Sequence, residues 1–293
     1  MEGVREYTIT VEHRALLYAT AGKENGHPVL VFYPLGCSRR TICLWAETAK
    51  DHNLWLISCN RPGKGTSMPP ETHASSSVSY LETATQDAYR ILQHLSVTKV
   101  SLLFFCAGTP FALNFAAKFP EITHKMLGIG CWVSPADCDD SKRLFRFASA
   151  LPSWMLSAVE GVWRLAGRVG SSLPNAPSSL MSLMLTADER ELFNEEDNEK
   201  LIFAKSEGSD GDHLELAVLL ASYKELSLKL PSESPKLIHS QNDELVPIEA
   251  ARWLSCHWSS ELTELESNSH SGSLMLLHPD LRASLGALAD VTS

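Results

Sequence analysis

The sequence predicts an α/β fold built on a mostly parallel, doubly wound sheet of eight strands, with a helical lid inserted late in the chain. Three observations lead to this fold class. Apolar runs typical of buried strands alternate with helical patterns. The alternation stops for almost a hundred residues after Val133 and resumes at Pro235. The chain has 293 residues and 44% hydrophobic content, which is enough to bury one large core.

Eight strands are predicted along the chain. Alternating residues at 7–11 and a second run at 15–19 form a leading antiparallel hairpin. The six other strands are expected at residues 28–33, 54–58, 100–105, 127–133, 235–239 and 262–265. The early runs among these six are almost continuously apolar, which is typical of strands covered on both faces.

Helical patterns separate the strands and fill the insertion. The pattern at 83–95 is the clearest, because its apolar residues recur on one helix face. Other helices are expected at residues 109–119, 145–150, 154–166, 179–185, 214–223 and 247–256, with a closing helix after residue 271. Thr186 and Glu189 have the spacing of a capping box. We assign residues 1–134 and 231–293 to the core and 135–230 to a helical lid.

The composition favours a small-molecule partner. Lys and Arg number 25 against 35 Asp and Glu, for a formal net charge of -10, and no basic cluster forms the positive surface that nucleic acid or anionic lipid requires. No run approaches the roughly 18 to 20 apolar residues of a membrane span, and the N-terminus lacks an apolar signal core. We therefore expect a cytoplasmic protein with no membrane span and no nucleic-acid partner.

The cysteines predict reduced thiols. Seven are scattered along the chain, an odd number without C-x-x-C spacing, so neither a disulfide framework nor a zinc site is indicated. Residues 63–66 contain two glycines and a lysine but lack the spacing of a phosphate-binding loop. No metal and no cofactor is expected.

Cys106 lies at a predicted turn between a strand and a helix. Residues 104–108 read F-F-C-A-G, which matches the nucleophile-elbow pattern G-x-S-x-G with Phe for the first Gly and Cys for Ser. A thiol at this place is close to the positive end of the following helix, which favours the reactive thiolate. The pattern therefore makes Cys106 the candidate nucleophile.

Four motifs, in the right order, resemble those of the α/β-hydrolase superfamily. Residues 33–39 (YPLGCSR) resemble its H-G-x-P-G-S-R loop, and residues 61–67 (RPGKGTS) resemble its R-P-G-x-G-x-S loop. Residues 239–247 (HSQNDELVP) are similar to the H-G-x-x-D-x-x-V-P segment that carries the acid, and 269–272 (SHSG) fall where the catalytic histidine is expected. The resemblance spans nearly the whole chain. It implies a nucleophile, an acid and a histidine in that chain order.

On the matching positions, Cys106 is assigned as the nucleophile, His270 as the base that takes its proton, and Asp243 as the carboxylate that orients the imidazole. Acyl chemistry also needs hydrogen-bond donors aimed at the oxyanion. The backbone N–H groups of Ala107 and Leu35 are the candidates, because the proline before Leu35 has no N–H to donate.

Several of these residues have alternative roles. A free cysteine commonly packs as a small hydrophobic side chain, which is the structural alternative for Cys106. Asp243 has the alternative of capping the helix after Pro247, and His278 is a rival to His270. A substitute acid or a metal ligand is offered by the acidic loop that contains Asp137, Asp139 and Asp140.

The predicted lid favours an apolar substrate. It is rich in Trp, Met, Leu and Val, and the part of this surface that does not pack on the core would hold a sizeable apolar molecule away from water. We expect a small-molecule acyl substrate, either free or tethered to a carrier or to coenzyme A. The candidate pocket residues are Tyr33, Phe104, Trp132, Trp154 and Trp163.

Three functions are compatible with the sequence. The first is cleavage or transfer of an acyl group from an ester, lactone or thioester by a Cys-His-Asp triad, for instance in secondary-metabolite biosynthesis. The resemblance implies hydrolysis and Dieckmann-type cyclising release alike, because cysteine nucleophiles occur in both kinds of superfamily member. The second is a non-hydrolytic cyclase, lyase or isomerase with His270 as general base. The third is a ligand-binding protein with a vestigial site, which the unusual Tyr33, Pro34 and Phe104 favour.

Overall fold

The computed structural model describes residues 3–65, 76–138, 185–207, 212–229, 233–266 and 269–289. Within these residues the strands belong to one eight-stranded sheet. They are β1 (Val4–Val11), β2 (Arg14–Gly22), β3 (His27–Phe32), β4 (Leu54–Cys59), β5 (Val100–Phe105), β6 (Thr123–Ile129), β7 (Lys236–Ser240) and β8 (Leu262–Leu265). The helices are α1 (Ala46–Asp51), α2 (Ser77–His94), α3 (Thr109–Lys118), α4 (Ala187–Leu192), α5 (Glu195–Lys205), α6 (Asp212–Leu220), α7 (Ile248–Trp258), α8 (His270–Leu274) and α9 (Pro279–Leu285).

The spatial order of the strands is β1-β2-β4-β3-β5-β6-β7-β8. β2 pairs antiparallel with both β1 and β4, while the six strands from β4 to β8 in this order run parallel. The carboxyl ends of those six strands therefore meet at one edge of the sheet, where ligands bind in open α/β sheets. Every candidate catalytic residue follows one of these carboxyl ends.

Side chains that alternate along the strands contribute to two hydrophobic cores, one on each face of the sheet. In β5, Leu102 and Phe104 point to the core formed with α2 and α3, whereas Leu103 and Phe105 point to the core that includes α1 and α9. This is the two-residue period of a strand whose faces are both buried. Because both faces of β5 are packed, the strand is held rigidly, and so is the turn that follows it.

The fold class predicted from the sequence is confirmed, and one strand is misplaced. The sixth strand was expected at 127–133, but β6 spans Thr123–Ile129. Gly130 ends it, because its φ of +56° leaves the extended conformation, and the residues beyond turn back towards the end of β5. The helices predicted between 145 and 184 lie outside the described residues. The described part of the insertion contains α4, α5 and α6.

Gly128 explains how the elbow strand carries Phe where the motif has Gly. Gly128 pairs with Phe104 across β5 and β6, and a Cβ built on Gly128 would overlap the Phe104 ring. Phe104 itself is 0% exposed. The glycine that the elbow motif places on β5 is thus replaced by a glycine on the neighbouring strand, which makes room for the phenyl ring.

The substitution Gly128→Ala is expected to lower the free energy of unfolding by about 1–3 kcal/mol, because the added methyl overpacks the Phe104 site. Urea denaturation followed by circular dichroism measures this change. Phe104→Leu in the same chain should recover part of the loss, giving a non-additive double-mutant cycle. An unchanged unfolding midpoint in Gly128→Ala would contradict this account of the packing.

No helix in the residues that the structure describes is both long and apolar enough to cross a membrane.

Candidate active site

Cys106 occupies a strained turn at the carboxyl end of β5. Its φ is +48°, a left-handed conformation that costs a non-glycine residue about 1–2 kcal/mol. Residues Cys106–Gly108 form a single 3-10 turn, and α3 starts directly afterwards at Thr109. The Cys106 carbonyl accepts hydrogen bonds from Thr109 Oγ1 at 2.7 Å and from the Trp132 amide at 3.3 Å, which stabilise the strained conformation.

The turn at Cys106–Gly108 packs closely against the end of β3. A Cβ at Gly108 would overlap the Phe32 carbonyl oxygen, so this position requires glycine. The loop that follows Phe32 therefore starts beside the turn that carries Cys106. Leu35 lies in that loop and is 41% exposed, while Ala107 is buried directly after Cys106. The two predicted oxyanion donors thus belong to adjacent segments.

Exposure separates Cys106 from most of the other thiols. Five of the seven cysteines are buried, Cys106 is partly exposed and Cys256 is exposed. Burial raises the pKa of buried thiols such as Cys59, to about 12, which leaves them protonated and unreactive at neutral pH. Packing as a small hydrophobic group therefore describes those five cysteines better than it describes Cys106.

Asp243 lies in the loop after β7, and its two oxygens make different contacts. Oδ1 accepts hydrogen bonds from the Leu245 and Val246 amides at 2.9 and 2.8 Å. Oδ2 lies 2.6 Å from His270 Nδ1. Burial alone would raise the pKa of this carboxyl, but the charge and hydrogen bond of His270 lower it below its usual value. The two amides bonded to Oδ1 precede α7, which begins at Ile248.

His270 is the first residue of α8, and its ring lies between Asp243 and Cys106. Nδ1 contacts Asp243, and the Cys106 thiol is close enough to raise the pKa of the imidazole. Phe105 packs its ring edge-on against the imidazole, with 4.9 Å between centroids. A Cβ at Gly130 would lie 3.5 Å from His270 Cε1, so the glycine that ends β6 also leaves space for the imidazole.

The charges on both sides of His270 favour its protonated form. Burial alone would lower the pKa of the imidazole, but Cys106 and Asp243 raise it to about 10. An imidazolium at neutral pH beside the sulfur stabilises a thiolate. The structure therefore favours a protonated imidazole close to Cys106.

His239 is a second histidine beside Asp243. Its Nε2 donates to the Val246 carbonyl at 2.9 Å and lies 3.6 Å from Asp243 Oδ2. Burial lowers the pKa of this imidazole, so it stays neutral beside the carboxylate. The rival histidine from the sequence, His278, lies elsewhere: it is the N-cap residue of α9, and its Nδ1 accepts from the Asp280 amide at 3.3 Å.

A buried ion pair anchors the loop after β3 to the insertion. Arg61 donates to the Tyr33 carbonyl and to the Glu215 carboxylate, and its guanidinium lies over the Tyr33 and Phe111 rings at 4.3 and 4.2 Å. The Arg61 amide donates to the Tyr33 hydroxyl at 2.8 Å. Lys64 Nζ lies 3.8 Å from the second Glu215 oxygen. Glu215 is on α6, so the insertion reaches the loop after β3 through Arg61.

Three of the five predicted pocket residues lie inside the part of the molecule that the structure describes. Tyr33 is buried beneath Arg61, Phe104 lies in the core against Gly128, and Trp132 is buried with its indole N–H donating to the Leu219 carbonyl at 2.8 Å. All three aromatic side chains are buried, and a role for them in lining a substrate pocket stays a prediction. The other two candidates, Trp154 and Trp163, lie outside the described residues.

In the acidic loop after β6, the described acid contacts the segment that follows α6. Asp137 accepts a hydrogen bond from the Tyr223 amide at 2.7 Å, and its neighbours Asp139 and Asp140 lie outside the described residues. In the part of the chain that the structure describes, no group of three or more His, Cys, Asp or Glu side chains is arranged to hold a metal ion.

Sequence reasoning missed two carboxylates of the insertion. Glu215 forms the buried pair with Arg61, and Glu189 accepts a hydrogen bond from the Ser269 amide at 2.8 Å, one residue before His270. Only Glu189 had a local signal, the capping box with Thr186. Nothing local indicated that either side chain reaches the catalytic loops, since their partners are 154 and 80 residues away.

No family model matches the chain, and no curated protein matches its sequence. Solved structures are similar over nearly the whole length. A 2-hydroxy-6-oxo-6-phenylhexa-2,4-dienoate hydrolase from Rhodococcus sp. strain RHA1 is 15% identical with a TM-score of 0.65, covering 96% of each chain.

Two further structures illustrate the range of this likeness. The esterase EaEST from Exiguobacterium antarcticum is 16% identical with a TM-score of 0.67, covering 97% of this chain and 99% of its own. A bromoperoxidase from Bacillus anthracis is 16% identical with a TM-score of 0.65, covering 98% of this chain and 100% of its own. At such identities the likeness establishes the fold and leaves the chemistry to the site residues.

Proposed function

We propose that this chain, which has the α/β-hydrolase fold, is an enzyme that cleaves or transfers the acyl group of an ester, lactone or thioester through a covalent intermediate on Cys106. The observation that carries the proposal is the grouping of Cys106, His270 and Asp243, in which His270 Nδ1 lies 2.6 Å from the carboxylate and Cys106 is close enough to raise the pKa of the same imidazole. This is the geometry that nucleophilic catalysis requires.

In the first half-reaction the Cys106 thiolate attacks the carbonyl carbon and forms a carbon–sulfur bond, while the carbonyl electrons move to the oxygen. The backbone N–H groups of Ala107 and Leu35 are the proposed donors to that oxyanion, and loss of one such donor typically costs about 10²–10³-fold in rate. The intermediate collapses, the leaving alcohol or thiol takes its proton from the His270 imidazolium, and an acyl thioester remains.

In the second half-reaction His270, now neutral, takes a proton from water or from an internal nucleophile. That nucleophile attacks the thioester, and the Cys106 thiolate leaves with the electrons of the carbon–sulfur bond. Asp243 keeps the imidazole oriented and balances its charge in both halves. The hydrogen bonds to Asp243 Oδ1 from Leu245 and Val246 fix the carboxylate for this task.

The substrate class rests on the predicted lid and on the neighbours. The names of two similar structures, a dienoate hydrolase and an esterase, agree with a hydrolytic reaction, whereas the bromoperoxidase name shows that the fold alone does not select a reaction. We propose a largely apolar, small-molecule acyl donor. Whether water or an internal nucleophile resolves the thioester decides between hydrolysis and cyclising release.

Turnover of a panel of aryl esters, acyl thioesters and lactones tests this function. Wild-type protein should consume at least one class, and Cys106→Ala should lose that activity, whereas Cys256→Ala should keep it because this exposed thiol lies on α7, which carries no triad residue. Activity that survives Cys106→Ala but not His270→Ala would instead favour the general-base cyclase, lyase or isomerase. Absence of turnover together with slow alkylation of Cys106 would favour a ligand-binding protein.

A further inference from the structure

We infer that Glu189, in the insertion, is a positioning residue for His270, so that the insertion forms part of the catalytic machinery. The inference rests on the proposed function, since it assigns a role towards the same triad. It starts from a carboxylate that is only 5% exposed and that contacts the segment carrying the catalytic histidine.

The two Glu189 oxygens join two segments far apart in the chain. Oε1 accepts a hydrogen bond from the Ser269 amide at 2.8 Å, and Oε2 accepts one from the Thr186 amide at 2.9 Å. Ser269 is the N-cap residue of α8 and directly precedes His270. The carboxylate therefore fixes the backbone at the point from which the imidazole projects.

The space around Glu189 is shaped for its carboxylate. A Cβ at Gly272 would overlap both Oε1 and Cδ of Glu189, so the carboxylate fills the place of a side chain on the first turn of α8. Ser269 Oγ accepts from the Gly272 amide at 2.9 Å in the same turn. A glycine at 272 and an acid at 189 are thus mutually required by this packing.

The Glu189 hydrogen bond should fix the position of the His270 imidazole. A carboxylate that accepts a backbone N–H makes a charge-assisted hydrogen bond, which is stronger than one between neutral groups. The imidazole must stay within hydrogen-bonding reach of both Cys106 and Asp243, and a displacement of about 1 Å in such a site can cost about 100-fold in rate. Loss of Glu189 would remove the hydrogen bond that holds the Ser269 backbone. The His270 ring, one residue later, would then no longer be fixed in position.

The test measures how well His270 activates Cys106, using the rate of iodoacetamide alkylation at Cys106, located by peptide mass mapping at pH 6.5. Glu189→Ala should slow this reaction about ten- to a hundredfold relative to wild type. Glu189→Gln, whose amide oxygen can still accept from Ser269, should recover most of the rate. Gly272→Ala, which displaces the carboxylate, should slow the reaction as Glu189→Ala does.

Two control variants on the same segment separate positioning from mere helix stability. Thr186→Ala removes the capping bond that the Glu189 amide donates to Thr186 Oγ1 at 3.3 Å, and leaves the Ser269 contact in place. Glu191→Ala changes an exposed acid on α4. Both should alkylate within about twofold of wild type. The inference is overturned if Glu189→Ala reacts like wild type, or if Thr186→Ala is slowed equally.

The result also distinguishes this inference from the proposed function. If wild-type Cys106 reacts no faster than Cys106 in the His270→Ala variant, the imidazole does not activate the thiol, and both ideas fail. If wild type is fast, His270→Ala is slow and Glu189→Ala is fast, only the role of Glu189 fails.

Discussion

His270→Ala is expected to lower kcat by about 10⁴-fold or more on any substrate found for the wild type, because the members of a catalytic triad act as a unit. The variant loses both the acceptor of the Cys106 proton and the donor to the leaving group. KM should change far less than kcat, since the imidazole acts on the transition state. His278→Ala is the matched control, because that histidine caps α9 and should leave kcat unchanged.

The same variant should change how thiol reactivity depends on pH. His270 has its pKa raised to about 10, so the imidazolium is present below that pH and is lost as the pH rises through it. Since the imidazolium persists between pH 6.5 and 8.5, wild-type alkylation at Cys106 should fall less on acidification than alkylation of His270→Ala. In His270→Ala it should fall about tenfold for each pH unit below about 8.5, as for an ordinary thiol. Parallel profiles for the two proteins would contradict an effect of the imidazolium on the thiol.

Glu215→Ala is expected to lower the free energy of unfolding by about 3–5 kcal/mol, because it leaves the buried Arg61 guanidinium without its carboxylate. Both side chains of this pair are almost entirely buried. Urea denaturation measures the loss. The variant should also impair turnover, because Arg61 holds the Tyr33 carbonyl at the start of the loop that carries Leu35.

A double variant separates the cost of an unpaired charge from the general cost of altering the core. Arg61→Met combined with Glu215→Leu removes both charges while keeping side-chain volume, and replacing a buried pair in this way is often neutral or stabilising. We expect the double variant to be more stable than either Glu215→Ala or Arg61→Ala. If its stability equals the sum of the two losses, the pair contributes no coupling and the interpretation is wrong.

The sequence predicted those elements whose signal is local. Alternating residues identified the leading hairpin, a near-continuous apolar run identified β5, and the turn at Cys106 followed from a strand that runs into a helix. The misplaced strand illustrates the limit of this signal. The run at 127–133 is apolar throughout, but it contains Gly128 and Gly130, and the positive φ of Gly130 ends β6 before Trp132.

The parts that sequence reasoning missed depend on contacts between distant segments. Phe104 was expected to line the pocket because its place in the elbow motif is unusual, and its packing became clear only from the register that pairs it with Gly128. Glu189 was recognised as a helix cap, which it is, but its second contact is with Ser269. Such contacts depend on tertiary arrangement and leave no periodic pattern in the chain.

Intact-mass spectrometry after brief exposure to acyl thioesters, aryl esters and lactones is the most direct test of the covalent mechanism. Wild-type protein should gain the mass of one acyl group, and peptide mapping should locate it on Cys106. Asp243→Asn should accumulate the adduct more slowly, and Cys106→Ala should show none. An acyl group found on another residue, or an equal adduct in Cys106→Ala, would contradict the claim that this thiol is the nucleophile.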